Sequence, residues 1–352
     1  MAKITFTPGS IYLLREKDYL TGEISRYVKI GLVRDDKDTE TRILEHQTGN
    51  PREIFDHQSL RAPFVEHLET QLHYRFSDKW ITGEWFDLNE EEIENVITEA
   101  RIIISEQEAI TETLERSYEL AKVIATKGER EPTNEETAIW NRLIEKKLEI
   151  DTLKVKQELI IDRIKKVMGN AGGIKGIVKV LLKKGGLYFN EVSFKEKHPD
   201  LYEKYLTKKS ESISGSFTLK NKISLKNDNP ALYEEKKNIL KTKIEVSSID
   251  FENNLSRSPE LESIHQEYID LQKIAYVLEW EYDQLEAKLK ESVGKYSELT
   301  GLCGWNRIIK DKISFDKKTF EEEHEDLFKD FLNEKADNYA ISISTSRKYA
   351  ST

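Results

Sequence analysis

Residue types that do chemistry recur at meaningful spacing between Ser10 and Leu88. Tyr12 sits in the apolar run Ser10-Ile11-Tyr12-Leu13-Leu14, and Lys29 in Tyr27-Val28-Lys29-Ile30-Gly31. Arg42 and His46 follow, four residues apart, before the turn Thr48-Gly49-Asn50-Pro51. Glu69 and His73 are also four apart, and Gly83-Glu84-Trp85-Phe86 closes the stretch. These are the materials for phosphodiester hydrolysis, which needs an activated water, a cation to neutralise developing charge and support for the leaving oxygen. Magnesium keeps most of its waters and takes one or two protein carboxylates, so a single glutamate suffices. Glu69 is the candidate metal ligand, for Mg2+ or Mn2+. Arg42 is the natural phosphate clamp, because a guanidinium is planar, permanently charged and bidentate. A tyrosine with an ordinary pKa of about 10 serves as a base only beside a cation, which Lys29 would supply to Tyr12.

The elements that must position these side chains are short. The runs around Tyr12 and Lys29 read as strands. The four-residue spacing of Arg42 and His46 predicts a helix that carries both on one face. Phe64, Val65, Leu68, Leu72 and Phe76 predict a second, with Glu69 and His73 one turn apart on the same side. Each residue also has a plain structural reading. Tyr12 reads as a core tyrosine, His46 and His73 as hydrogen-bonded histidines, and Phe76, Trp80, Trp85 and Phe86 as core. Glu66 competes with Glu69. Tyr27 is the alternative to Lys29 and is expected on the opposite face of the strand, so that only one of them enters the site. His57 and His67 fall into no pattern.

Beyond residue 88 the chain predicts scaffold. Asn89 caps an acidic first turn. Apolar residues then recur at three- and four-residue steps from Ile93 to Ala121 and from Ile139 to Val167, with Gly128 and Pro132 between, which predicts an antiparallel helical hairpin at 89–168. A third heptad run, from Leu261 to Leu289, predicts one long helix at 259–300. Gln107, Gln157 and Ala275 read as register devices in these seams, which would pack within the chain or join two copies of it. Two passages repeat. Phe194, His198, Asp200, Leu201, Tyr205 and Leu206 parallel Phe320, His324, Asp326, Leu327, Phe331 and Leu332, placing one repeat unit in 169–258 and the other in 301–352. His198 and His324 read as structural, capping short helices.

The net charge of −10 conceals a reversal, because residues 169–258 hold 17 basic against 11 acidic residues. Lys175, Lys179, Lys183, Lys184 and Lys220 of that segment are the candidate nucleic-acid contacts. The single Cys303 excludes an intramolecular disulfide framework and a cysteine zinc cluster. Without a signal-like apolar start or a run long enough to span a bilayer, a cytoplasmic protein without membrane contact is expected.

Taken in order, the motifs of residues 8–90 resemble the GIY-YIG endonucleases, most closely their phage-type branch. The matching residues are Lys29-Ile30-Gly31, Arg42, Gln47 to Pro51, Glu69 with Leu72 and His73, and Gly83 to Phe86. Two departures stand out: Ser10 replaces the glycine of the first signature, and the segment Arg15 to Arg26 between the strands is long and charged. The resemblance implies an α+β nuclease domain over 1–88, a small antiparallel sheet flanked by helices; the heptad runs beyond it predict a mainly α-helical coiled-coil region with short strands. It further implies Tyr12 as general base or water-orienting hydroxyl, with Lys29 lowering its pKa or contacting phosphate. Arg42 would stabilise the transition state, His46 assist proton transfer and Glu69 hold the metal; Tyr27 and His73 are supporting or alternative residues. The expected function is metal-dependent DNA cleavage leaving a 5′-phosphate, in phage defence, restriction or a phage-encoded setting. The alternatives are a coiled-coil nucleic-acid-binding protein, or an accessory subunit that cuts only with a partner. DNA, a second copy of the chain, or a defence-system protein docked through coiled coils are the expected partners.

Overall fold

The computed structural model describes residues 6–239 and 246–344; the ends of the expected domains at 1–5 and 345–352, and 240–245 within the basic segment, lie outside these. The fold is mixed α/β, in two compact units. One comprises Met1–Arg116 with Glu279–Lys288, the other mainly Ser117–Leu278 and Leu289–Arg347. Among the described residues no helix is long and apolar enough to cross a membrane.

The first unit runs β1 (Gly9–Lys17), β2 (Ile24–Arg34), α1 (Thr39–Gln47), β3 (Glu53–Ala62), α2 (Val65–Arg75), β4 (Trp80–Thr82), β5 (Trp85–Asp87) and α3 (Glu90–Leu120). Its antiparallel sheet has the order β3-β1-β2-β5-β4. Side chains alternate across a strand, and β1 is apolar on both faces. Ile11 and Leu13 join Val28, Ile30, Leu68, Leu72, Ile93 and Val96 in the larger core beneath α2 and α3. Tyr12 and Leu14 pack on the opposite face with Val33, Ile54 and Ile43 of α1. Two-sided burial is why this strand reads as an unbroken apolar run.

The charged segment Arg15 to Arg26 continues the hairpin. Asp18 closes its tip by accepting hydrogen bonds from the backbone of Leu20 (2.9 Å) and Thr21 (2.8 Å). Gly22 follows at φ +74°, where a β-carbon would be strained. Arg15 is buried and reaches Glu90 at 2.7 Å and the Ser25 carbonyl at 3.1 Å.

The first half of the α3 stripe, Ile93 to Ile103, lies in the core of the sheet. Gln107, expected as a register device, instead pins the entry to α2. Its amide accepts from Phe64 N–H at 3.3 Å and donates to Phe64 C=O at 3.2 Å, and it lies 3.1 Å from His67 Nδ1. His67 stacks on Trp280 at 3.7 Å between centroids, and its burial pushes its pKa down to about 3.

The second unit contains β6 (Lys127–Arg130), α4 (Asn134–Met168), β7 (Ala171–Ile174), β8 (Val178–Lys183), β9 (Gly186–Phe189), α5 (Glu191–Lys197), α6 (Pro199–Lys204), β10 (Leu206–Ser214) and β11 (Thr218–Leu219). Next come α7 (Leu225–Asp228), α8 (Pro230–Ile239), β12 (Asp250–Leu255), α9 (Pro259–Val293), β13 (Tyr296–Leu299), β14 (Cys303–Gly304) and β15 (Ile308–Phe315). The last are α10 (Lys317–Glu323), α11 (Glu325–Asp330), β16 (Leu332–Lys335) and β17 (Asn338–Ile343). Gly128 lies in β6, so a strand replaces the tight Gly/Pro turn expected between the helices.

This unit is duplicated, with strands exchanged between the copies. The succession β6, α4, β7, β8 recurs as β12, α9, β13, β14. Gly169 and Gly294 end the two long helices at φ +56° and +55°, and Gly176 and Gly301 both stand at +75°. β12 pairs in parallel with β7 of the first copy, and β6 with β13 of the second. β9 pairs with β16 and β10 with β15, so each pair also joins the copies. Between them lies an aromatic core of Phe189, Phe194, Tyr205, Phe315, Phe320, Phe328 and Phe331. His198 and His324 occupy equivalent junctions between short helices. Neither side chain caps a helix, contrary to expectation. The ring of His324 meets Tyr205 Oη at 3.0 Å instead.

Arg307 is fully buried. Its guanidinium donates to the carbonyls of Leu120 (3.0 Å), Gly294 (2.5 Å) and Tyr296 (3.1 Å), tying two helix ends to a strand, and lies 4.0 Å over the Trp305 ring. Leaving buried carbonyls unpaired costs about 1–3 kcal/mol each. Arg307→Met is therefore expected to destabilise the protein by about 3 kcal/mol or more, read as a fall in the urea midpoint. An unchanged midpoint would show that these bonds contribute nothing net.

Candidate active site

The candidate site lies on the α1 face of the sheet, and its centre is Tyr12. The ring crosses the backbone of Gly31, its partner on β2; a β-carbon there would meet the Tyr12 hydroxyl at 2.6 Å and ring carbons at 2.7 Å. Glycine at 31 is thus what lets a tyrosine lie flat at 12. At Ser10 the structure accommodates the serine, because the close approach falls one residue earlier, where a β-carbon on Gly9 would strike the Val33 carbonyl.

Helix α1 brings Arg42 and His46 to the Tyr12 hydroxyl. The Arg42 charge acts on it, and His46 Nε2 lies 3.4 Å away. Arg42 also pairs with Glu45 at 2.6 Å. The helix is held in place by the turn that follows it. Gln47 donates to the carbonyls of Asn50 (3.2 Å) and Arg52 (2.8 Å) and accepts from Ile54 N–H (2.8 Å), while Asn50 reaches Glu16 at 2.6 Å. Gly49 supplies the left-handed backbone at φ +82°. The Gln-Thr-Gly-Asn-Pro motif is a brace that sets the angle of α1 over β1 and β3.

Lys29 lies on the face of Tyr12, 7% exposed, and its ammonium is ion-paired with Glu84. Tyr27 is two residues away and therefore on the same face as Lys29, contrary to the expectation of opposite faces. Burial separates them instead, since Tyr27 is 46% exposed. Glu69 projects from α2, half-buried. His73, one turn on, donates from Nε2 to the Ile30 carbonyl at 2.8 Å and packs against Phe86, so it ties α2 to β2. Glu66, the competing carboxylate, pairs with Arg34 at the surface.

Glu84 is a site residue that its motif alone does not single out. It sits in the Gly83-Glu84 turn between β4 and β5, where its carbonyl accepts from Ile30 N–H at 3.0 Å. Its carboxylate acts on Tyr12, His46, Glu69 and His73. The Gly-Glu-Trp-Phe motif is the available signal, but only the β2–β5 pairing shows that its glutamate faces Lys29.

The electrostatics follow from this crowding. Burial, then the Glu84 charge, push the Tyr12 hydroxyl up to about 12 against the opposing pull of Arg42. Tyr12 is thus a neutral phenol near pH 7, and the expected lowering of its pKa by Lys29 is not seen, because Lys29 is engaged with Glu84. Burial, Lys29 and Arg42 hold His46 below the usual histidine range, leaving it neutral and able to accept a proton. Burial and then Glu84 raise the Glu69 carboxyl to about 7. Among the described residues Glu69 has no ion-pair partner and no group of three or more metal-ligating side chains occurs. A half-buried carboxyl within electrostatic reach of a second one fits a divalent cation that keeps most of its waters.

Residues 9–101 match the T5orf172 domain. This phage-associated domain is related to nuclease-like folds of the GIY-YIG and HNH types. The match begins with β1 and ends within α3, so every candidate catalytic residue lies inside the T5orf172 region and the duplicated unit outside it. No curated protein and no solved structure matches the chain. Of the five candidate lysines, Lys179 and Lys183 lie exposed on β8 and Lys175 and Lys184 are exposed beside it, whereas Lys220 is ion-paired with Glu298.

A glutamate whose folded pKa is raised favours its neutral form, so ionisation destabilises the fold as pH rises through the native value. Glu69→Gln is therefore expected to raise the melting temperature by several degrees at pH 8 and by little at pH 5. An equal gain at both pH values would mean that Glu69 is not desolvated. Gly31→Ala is expected to displace the Tyr12 ring and cost about 1–3 kcal/mol, visible as a weakened near-ultraviolet tyrosine signal and a lower urea midpoint.

Proposed function

We propose that this protein is a divalent-metal-dependent DNA endonuclease of GIY-YIG type, working in a phage-encoded or phage-defence setting. The observation that carries this reading is the meeting of the Tyr12 hydroxyl with Arg42 and His46 on one sheet face, within electrostatic reach of Glu69 and Glu84. The T5orf172 match over the same residues supports it.

The chain's own groups divide the work. Tyr12, a neutral phenol, orients a water by hydrogen bonding. His46, neutral for the reasons above, stands beside it to take the proton that this water loses on attack. Arg42 exchanges its exposed partner Glu45 for the scissile phosphate and stabilises the charge that gathers on it. Glu69 would hold Mg2+ or Mn2+, which supplies further neutralisation of phosphate charge when bound. Lys29 keeps the neighbouring Glu84 charge balanced, so that the site tolerates a second carboxylate.

Wild-type protein is expected to cut plasmid DNA with Mg2+ or Mn2+, and Glu69→Gln and Arg42→Ala to slow it by about 100-fold or more. Equal cutting by all three would refute the site. Cutting by wild type only after a partner protein is added would favour the accessory-subunit reading.

A further inference from the structure

The duplicated unit carries the same surface chemistry on two of its strand pairs. On the β10–β15 pair, Ser212 stands directly opposite Lys310 and Ser210 opposite Lys312. On β8–β17, Ser342 stands opposite Lys179 and Asn338 opposite Lys183. Residues directly opposite in an antiparallel pair share a face, and all eight are exposed. Four times, then, a surface lysine is matched across the ladder with a neutral side chain that can donate a hydrogen bond.

Among the described residues of these two faces there is no carboxylate. Between the lysines lie only Leu181 and Ala340 on one, and Ser214 with Ile308 extends the other. The acidic pair of the β10–β15 ribbon, Glu211 opposite Asp311, projects from the reverse side. None of the four lysines is ion-paired with another described residue, whereas Lys208 is held by Glu211 and Asp311 and Lys220 by Glu298. In a chain with a net charge of −10, such segregation leaves positive faces whose complement is an anion. The Asn338 side-chain oxygen accepts from Tyr339 N–H at 2.8 Å, so its NH2 group is not the one engaged there.

We propose that these two faces grip the phosphate backbone of duplex DNA, lysine supplying charge and its serine or asparagine partner a hydrogen bond. Such donors are the common phosphate contacts of proteins; β10–β15 is a two-stranded ribbon, narrow enough to follow the major groove, while β8–β17 forms the edge of a four-stranded sheet. Each of the two pairs joins strands from both copies. The choice of DNA rests on the nuclease reading of the first unit; the existence of the faces does not.

The test is the salt dependence of binding, in metal-free buffer, of the full chain to a labelled duplex of mixed sequence. Each phosphate left without its lysine lowers the slope of log K against log salt by about one. Lys310→Ala with Lys312→Ala, and Lys179→Ala with Lys183→Ala, are each expected to lower it by about two, and all four together by about four. Arginine at all four positions is expected to keep the slope. An unchanged slope in the quadruple alanine variant would overturn the proposal, as would a reduced slope in the arginine variant or an effect seen with single-stranded RNA and not with duplex DNA. Cleavage by wild type is scored separately. A reduced slope with no cleavage sinks the nuclease reading alone, and cleavage with an unchanged slope sinks the grips alone.

Discussion

The contact between the Tyr12 ring and the bare backbone of Gly31 governs the rest of the first unit, because it decides where a hydroxyl can stand on a strand that is buried on both faces. With Ile11 and Leu13 committed to one core and Leu14 to the other, β1 has no freedom to shift by a residue without turning apolar groups to water. The ring can only lie across β2, and only glycine there leaves room. Once the ring is placed, its hydroxyl reaches the helix that the Gln47 brace holds above it, and Arg42 and His46 meet it from one face of that helix.

The same burial sets the charge states. A phenol, an imidazole and a carboxyl are drawn out of water together, and each moves toward its neutral form. Glu84 and Lys29 form the compensating pair that makes this tolerable, yet Glu69 is left facing a like charge. Such crowding of like charges is unfavourable in the free protein, and carboxyls perturbed in this way cluster at functional sites.

The second unit solves a different problem. Its two copies are short of core if taken alone, with strands as brief as the two-residue β11 and β14. Exchange of strands lets each copy complete the sheets of the other and close one aromatic core between them. Arg307 breaks the equivalence. It satisfies carbonyls at the ends of α3 and α9 and so stiffens one side of the duplication, while the lysine-bearing faces remain outside the core and free of structural duty.

Local pattern was enough to show the N-terminal strands, the long helices and the order of the chemical motifs, and the resemblance supplied the antiparallel sheet. Apolar alternation, helical spacing and turn residues are properties of neighbours in the chain. The sequence also marked the repeated passages, since Phe194, His198 and Tyr205 recur in spacing with Phe320, His324 and Phe331. Partners distant in sequence were not legible. That the first half of the α3 stripe covers a sheet, that Gln107 serves Phe64, and that Glu84 rather than a phenolate holds Lys29 all depend on strand order and close packing. A heptad stripe looks the same whether it meets a helix or a sheet, and a lysine's partner is whichever charge the fold brings near. The candidate residues other than Glu84 were thus determined by sequence alone, and Glu84's part and all their charge states only by the tertiary structure, because desolvation and pairing exist only once the chain has packed.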